Sequence, residues 1–260
     1  MDVHPLKSAT ARTAGEGQRE TAHTTDLSLR AAAAVAGLGL LVMAVLAGLS
    51  FAAFESLVVP ADAATTARNI VDHELLFRSL ICGFLIVVVL DVVVAWALYV
   101  FLGPAGRSLA LLAAWFRVVY AAVFAAALSN LFVAVRLPAG AHSLQAFTTG
   151  QSNAQVMVSV NAFNDGWDAA LVLFGLHLLL LGYLIFKSGY VSRAIGILVM
   201  VASAGYLIDS FGGFLSAGYD ANIAVFTFFG EVVLMGWLLW KAVRPGKLLL
   251  RAERGAGSHG

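Results

Sequence analysis

Four ionisable side chains stand inside apolar runs long enough to cross a bilayer: Asp91, Arg117, His177 and Glu231. A charge in hydrocarbon is expensive, so such residues pair with one another, turn toward the interior of a bundle and are often functional. Two carboxylates, a guanidinium and an imidazole can make an ion pair, a ligand site or a proton relay. A carboxylate such as Glu231 must either find a cation or take up a proton. The spacings of familiar catalytic sites are missing. One histidine lies within a span and no HExxH is present, so neither a metal nor another cofactor is expected. There is no GxSxG and no P-loop, and Cys82 has no histidine in its own segment.

Composition sets the surroundings of these groups. Of 260 residues, 60% are hydrophobic and 12% charged, and the mean hydropathy is +0.88. Soluble domains carry about 25% charged residues. The chain therefore reads as an integral membrane protein with the lipid bilayer as its principal partner. One cysteine excludes an internal disulfide and a CxxC redox site. The basic residues do not gather into a stripe, so nucleic acid is not an expected partner.

About 20 apolar residues cross the hydrocarbon core. Six segments qualify, at 31–54, 79–102, 109–134, 167–187, 194–216 and 223–243. They are continuous rather than alternating, and an open strand leaves its backbone unsatisfied in lipid, so helices are expected. The predicted fold is all-α and polytopic, with six transmembrane helices and two outer amphipathic segments. The domain reading is a disordered cytoplasmic tail over 1–29, a bundle over 30–243 and a basic cytoplasmic tail over 244–260.

Orientation follows the excess of Lys and Arg in cytoplasmic loops. With both termini inside, the inner side collects Lys7, Arg12, Arg19, Arg30, Arg107, Lys187, Arg193, Lys241, Arg244, Lys247, Arg251 and Arg254, out of 16 basic residues. The expected location is the bacterial cytoplasmic membrane.

The outer connections are longer. Residues 61–76 place Asp62, Thr65, Thr66, Asn69, Asp72 and His73 on one helical face and Ala63, Ala64, Ala67, Ile70, Val71 and Leu75 on the other. Residues 151–165 form a weaker version. Both read as lids that seal the bundle, with membrane sensing as the second reading. Trp167 and Trp96 are candidate interfacial anchors. Asp91 precedes Arg107 by sixteen residues, as His177 precedes Arg193. Helices two and three are thus a candidate duplicate of helices four and five, an arrangement that in carriers places sites at the repeat interface.

At 1.5 Å per residue, Arg117, His177, Glu231 and Asp91 lie about 12, 14, 15 and 17 Å from the inner end of their spans, and Asp209 about 22 Å. Helices two and three are joined by a tight loop, so Asp91 and Arg117 can pair across their contact. Ala110, Ala113, Ala114 and Ala121 let the helices approach closely there. Such a pair fixes helix register, or one member serves as ligand or proton acceptor. Tyr206 and Asp209 lie on a stripe with Ala202 and Gly213, flanked by Ser203 and Ser210. The stripe reads either as an outer vestibule or as interhelical hydrogen bonding.

Two runs, ARNIVDHELLFRSLICGFLIVVVLDVVVAWALYVFLGPAGRSLALLAAWFRVV and LFGLHLLLLGYLIFKSGYVSRAIGILVMVASAGYLIDSF, carry a wider pattern. It comprises Glu74, Phe77, Arg78, Asp91, Arg107, Arg117, the GLH around His177, the SGY of 188–190, Tyr206 and Asp209. The chain resembles the bacterial membrane family catalogued as domain of unknown function 4386, over about residues 31–243. The resemblance implies a six-helix inner-membrane protein and supplies no activity. The leading functional expectation is a small carrier, or an ion- or proton-coupled module, with a small-molecule or ion ligand at a midplane site built from Asp91, Arg117, His177, Glu231, Tyr206 and Asp209. The rivals are an intramembrane enzyme acting on lipid or isoprenoid, and a non-catalytic assembly module.

Overall fold

The first helix begins where a polar residue meets the apolar run. The Ser28 hydroxyl accepts the Ala31 N–H at 3.1 Å, capping one of the open donors of α1 (Leu29–Leu57). The computed structural model describes residues 27–137, 148–216 and 218–244. Both tails, for all but a few residues, and His142 lie outside the described residues. Six further helices follow: α2 (Ala63–Asp72), α3 (Glu74–Arg136), α4 (Thr149–Ser188), α5 (Arg193–Leu215), α6 (Ala224–Thr227) and α7 (Phe229–Val243). No strand occurs among the described residues. Five helical stretches are long and apolar enough to cross a membrane, with α6 and α7 counted as one stretch, Ala224–Val243.

α3 has 63 residues. Drawn straight it would measure about 94 Å, three times the thickness of a hydrocarbon core. It is not straight. Pro104 lacks an N–H and its ring crowds the preceding turn. Gly106, two residues on, leaves the helical region altogether, with φ 167° and ψ 93°. The two arms, 74–105 and 107–136, fold back on each other. Arg107 Nε donates to the Tyr99 hydroxyl at 3.2 Å, and Arg117 reaches Asp91. The apolar segments 79–102 and 109–134 fall on these two arms.

Aromatic side chains fill the region between the arms, α1 and α4. Phe84 packs edge-on against Phe51 and Phe124 at 4.8 and 5.6 Å, and Phe163 joins them. Trp167 lies in this cluster, 4.5 Å from Phe124 and 5.1 Å from Phe51. It is therefore a packing residue and not the interfacial anchor expected of it. Trp96 and Trp115 are exposed on the outside of the bundle, where a membrane protein meets lipid. α4 and α5 approach through glycines: a Cβ on either Gly182 or Gly196 would come within 2.7 Å of the other's carbonyl oxygen. Small residues at such a seam let backbones pack directly.

The two amphipathic segments differ from expectation in two ways. Residues 151–165 are not a separate element. They are the first part of the 40-residue helix α4, opened by a Thr148–Gln151 capping box. Gly166 does not break it, because the missing Cβ is what lets α4 sit against Ala127, which a Cβ there would meet at 2.7 Å. α2 is a separate helix, but its inner face is Thr66, Ala67 and Ile70, while Val71 and Leu75 are exposed. Thr66 goes inward because its hydroxyl has a partner there: it accepts the Val59 N–H at 2.9 Å.

Candidate functional site

Arg117, on the second arm of α3, is the centre of the polar cluster and is 2% exposed. Three elements converge on it. Its Nη2 lies 2.7 Å from Asp91 Oδ1 on the first arm. Its Nη1 lies 3.2 Å from His177 Nε2 on α4. Its Nη2 also faces Met43 Sδ on α1 at 3.9 Å, and Phe174 lies under the guanidinium carbon at 5.4 Å. Asp91 and His177 are fully buried as well.

His177 is held on both ring nitrogens. Nδ1 lies 2.8 Å from the Ala113 carbonyl oxygen, one turn before Arg117. A carbonyl can only accept and a guanidinium can only donate. The ring therefore donates from Nδ1 and accepts at Nε2, the neutral tautomer with its proton on Nδ1. In this arrangement His177 buttresses Arg117.

A cavity of about 320 Å³ opens on the other side of Arg117. All the long helices contribute to its wall. Asp91, Arg117, Tyr206 and Glu231 supply its polar groups, with Tyr120 beside them. Phe51, Phe84, Phe124, Trp167 and Phe174 supply most of its aromatic surface. Glu231, in the first turn of α7, sets its carboxylate beside the Tyr206 hydroxyl. Its Oε1 is buried without a hydrogen-bond partner, as are Asp91 Oδ2 and Arg117 Nε. Buried polar atoms are normally satisfied by protein or water. Three unanswered ones around one cavity mark it as a place for something else to bind.

On the α1 and α7 side the cavity lies close to the surface of the bundle. Arg30 Nε donates to the Ala242 carbonyl at 2.7 Å, and Gly37 faces Leu239, so the two helices meet at their basic ends. Further along, Ala44, Phe228 and Val232 line the cavity and are also exposed on the outside.

Of the six residues singled out by sequence, four border this cavity. His177 stands behind Arg117 and does not. Asp209 does not either: its carboxylate accepts the Tyr219 hydroxyl and the N–H groups of Ile223 and Ala224, at 2.9 and 2.6 Å for the two amides. It ties the α5–α6 connection to the end of α5. The hydroxyl of Tyr219, hydrogen-bonded to that carboxylate, is pushed up to about 12. Ser203 donates to the Gly175 carbonyl at 2.7 Å and so belongs to the α4–α5 seam. Sequence reasoning missed Met43, Tyr120 and the aromatic wall. Met43 and Phe174 carry no polar flag; only the i−3 spacing of Phe174 from His177 hints at a shared face.

All-helical architecture, apolar helices compatible with a membrane and a polar cluster enclosed by them define the class. The chain belongs to the family described as Domain of unknown function (DUF4386), whose model matches residues 35–242. It is also similar to an uncharacterised protein of Archaeoglobus fulgidus, 37% identical over 161 residues, covering 62% of this chain and 82% of that one. No solved structure matches.

Proposed function

We propose that the protein is a six-span carrier of the cytoplasmic membrane that binds a small ligand in the central cavity and exchanges it for a proton on Glu231. The six crossings are α1, the two arms of α3, α4, α5 and the α6–α7 stretch. The observation that carries the reading is the shared cavity: Asp91, Arg117, Tyr206 and Glu231, from four different stretches of helix, face one space of about 320 Å³. That volume is at the small end of ligand pockets, about 300–1,000 Å³. Asp91 and Arg117, braced by His177, form a rigid polar floor. Glu231, beside Tyr206, is the mobile charge. The exposed lining residues Ala44, Phe228 and Val232 put the ligand's entry from the membrane on the α1 and α7 side in this reading.

An enzyme reading has less support. His177, the natural general base, is engaged on both nitrogens and turned away from the cavity. No group of three or more His, Cys, Asp or Glu is placed to hold a metal among the described residues.

The test uses proteoliposomes with an internal pH dye and a panel of small cationic, anionic and neutral amphiphiles. A carrier collapses an imposed pH gradient with some member of the panel, and Glu231→Gln does not. No response to any member contradicts the reading. Orientation is checked separately. In a Cys82→Ser background, a cysteine at Thr65 is labelled from outside intact cells and one at Ser258 is not. The opposite pattern overturns the cytoplasmic termini.

A further inference from the structure

The cavity's charges do not balance. Asp91 and Arg117 answer each other at 2.7 Å. The remaining acid is Glu231, and no basic side chain forms an ion pair with it among the described residues. The groups facing it are Tyr206 from α5, and Tyr120, Arg117 and Asp91 from α3; α1 and α4 present only apolar or aromatic side chains to the cavity. Arg117 is engaged through both amino nitrogens by Asp91, His177 and Met43 and rests over Phe174, so that its Nε is the one donor it keeps open, against two open carboxylate oxygens. The cavity thus sets two carboxylates against one guanidinium, with an unpartnered buried Oε1 on Glu231 and an unpartnered Oδ2 on the fully buried Asp91.

The rest of the wall is aromatic. Phe51, Phe84, Phe124 and Trp167 line the same space. Ring faces attract cations within about 6 Å, most strongly where water is excluded. A strongly hydrated metal ion gains little from such a wall. A cation with an apolar body gains twice, from the rings and from the carboxylate.

Resting on the carrier reading, we infer that the ligand is a compact organic cation, such as a substituted amine or quaternary ammonium, held with its charge against Glu231 and its body among the aromatic rings. Cation and proton then compete for one carboxylate, which is the exchange a coupled carrier requires. The cavity takes one compact molecule of this kind and is too small for a two-chain lipid.

The test is equilibrium binding to the full chain in lipid nanodiscs, with three probes of nearly one shape: benzyltrimethylammonium, its neutral carbon isostere neopentylbenzene, and benzylsulfonate. The inference expects the cation to bind roughly tenfold or more tighter than the neutral isostere, and the anion to bind most weakly. Glu231→Gln should bring the cation down to the level of the neutral probe. Equal binding of cation and isostere, preference for the anion, or no binding of any probe overturns the inference. The isostere comparison needs no variant, so a misfolded mutant cannot mask the answer. An anion or neutral compound that nonetheless discharges the pH gradient would leave the carrier reading standing and remove only the cation.

Discussion

Arg117 and His177 form a one-way contact: Nη1 of the guanidinium donates to Nε2 of the imidazole at 3.2 Å, while Nδ1 of the same ring donates to the Ala113 carbonyl at 2.8 Å. The histidine transmits the rigidity of one arm of α3 to the cation that the same arm carries one turn later. This places Arg117 with its other amino nitrogen toward Asp91 and the cavity.

Breaking that brace should loosen the site without emptying it. His177→Phe keeps a ring of similar shape but leaves a guanidinium N–H buried and unmatched, at about 1–3 kcal/mol, and removes the second donor to the Ala113 carbonyl. The expected result is a lower unfolding temperature in detergent, with cation binding weakened but present. Unchanged stability would mean that the ring is only a filler.

The ion pair makes a sharper prediction. Asp91→Ala or Arg117→Ala strands a buried charge without its partner and should cost about 3–5 kcal/mol. Replacing both together, as Asp91→Leu with Arg117→Met, should recover most of the loss, because the two residues are coupled. Thermal unfolding of the four proteins measures the coupling. Additive losses would show that the 2.7 Å contact contributes nothing.

At the other end of α5, Asp209 and Tyr219 give a titration that can be read directly. The hydrogen bond to the Asp209 carboxylate, together with partial burial and the nearby negative charge, favours the protonated Tyr219 hydroxyl and pushes it up to about 12. The ordinary value is near 10. A group raised in the folded state stabilises fully below its ordinary value and loses that contribution as the pH rises through the folded one. Asp209→Asn should return Tyr219 toward about 10. Ultraviolet absorbance against a Tyr219→Phe reference isolates this one phenol, and a titration that does not move would remove the bond.

The helical class and the pairing of Asp91 with Arg117 were legible because both follow from local arithmetic: apolar run length, and a tight connection that forces neighbours together. The placing of His177 was not. Its depth matched the others, yet only the rotation of α4, set by Gly166 against Ala127 and by the Gly182–Gly196 seam, turns it behind Arg117 rather than into the cavity. Asp209 misled for a similar reason. The chain returning through Ile223 and Ala224 claims its carboxylate, and no periodicity within α5 announces that. The continuity of α4 was hidden by a polar stretch that resembles a loop, although its Thr148–Gln151 box starts a helix.

Glu231 is the shared seat of proton and ligand in the proposed exchange. The most direct measurement is proton release on adding benzyltrimethylammonium to weakly buffered nanodisc samples, followed across the pH range around neutrality. The wild-type protein should release a proton per ligand bound over part of that range, and Glu231→Gln should release none. Binding with no proton released, or the same release from both proteins, would contradict it.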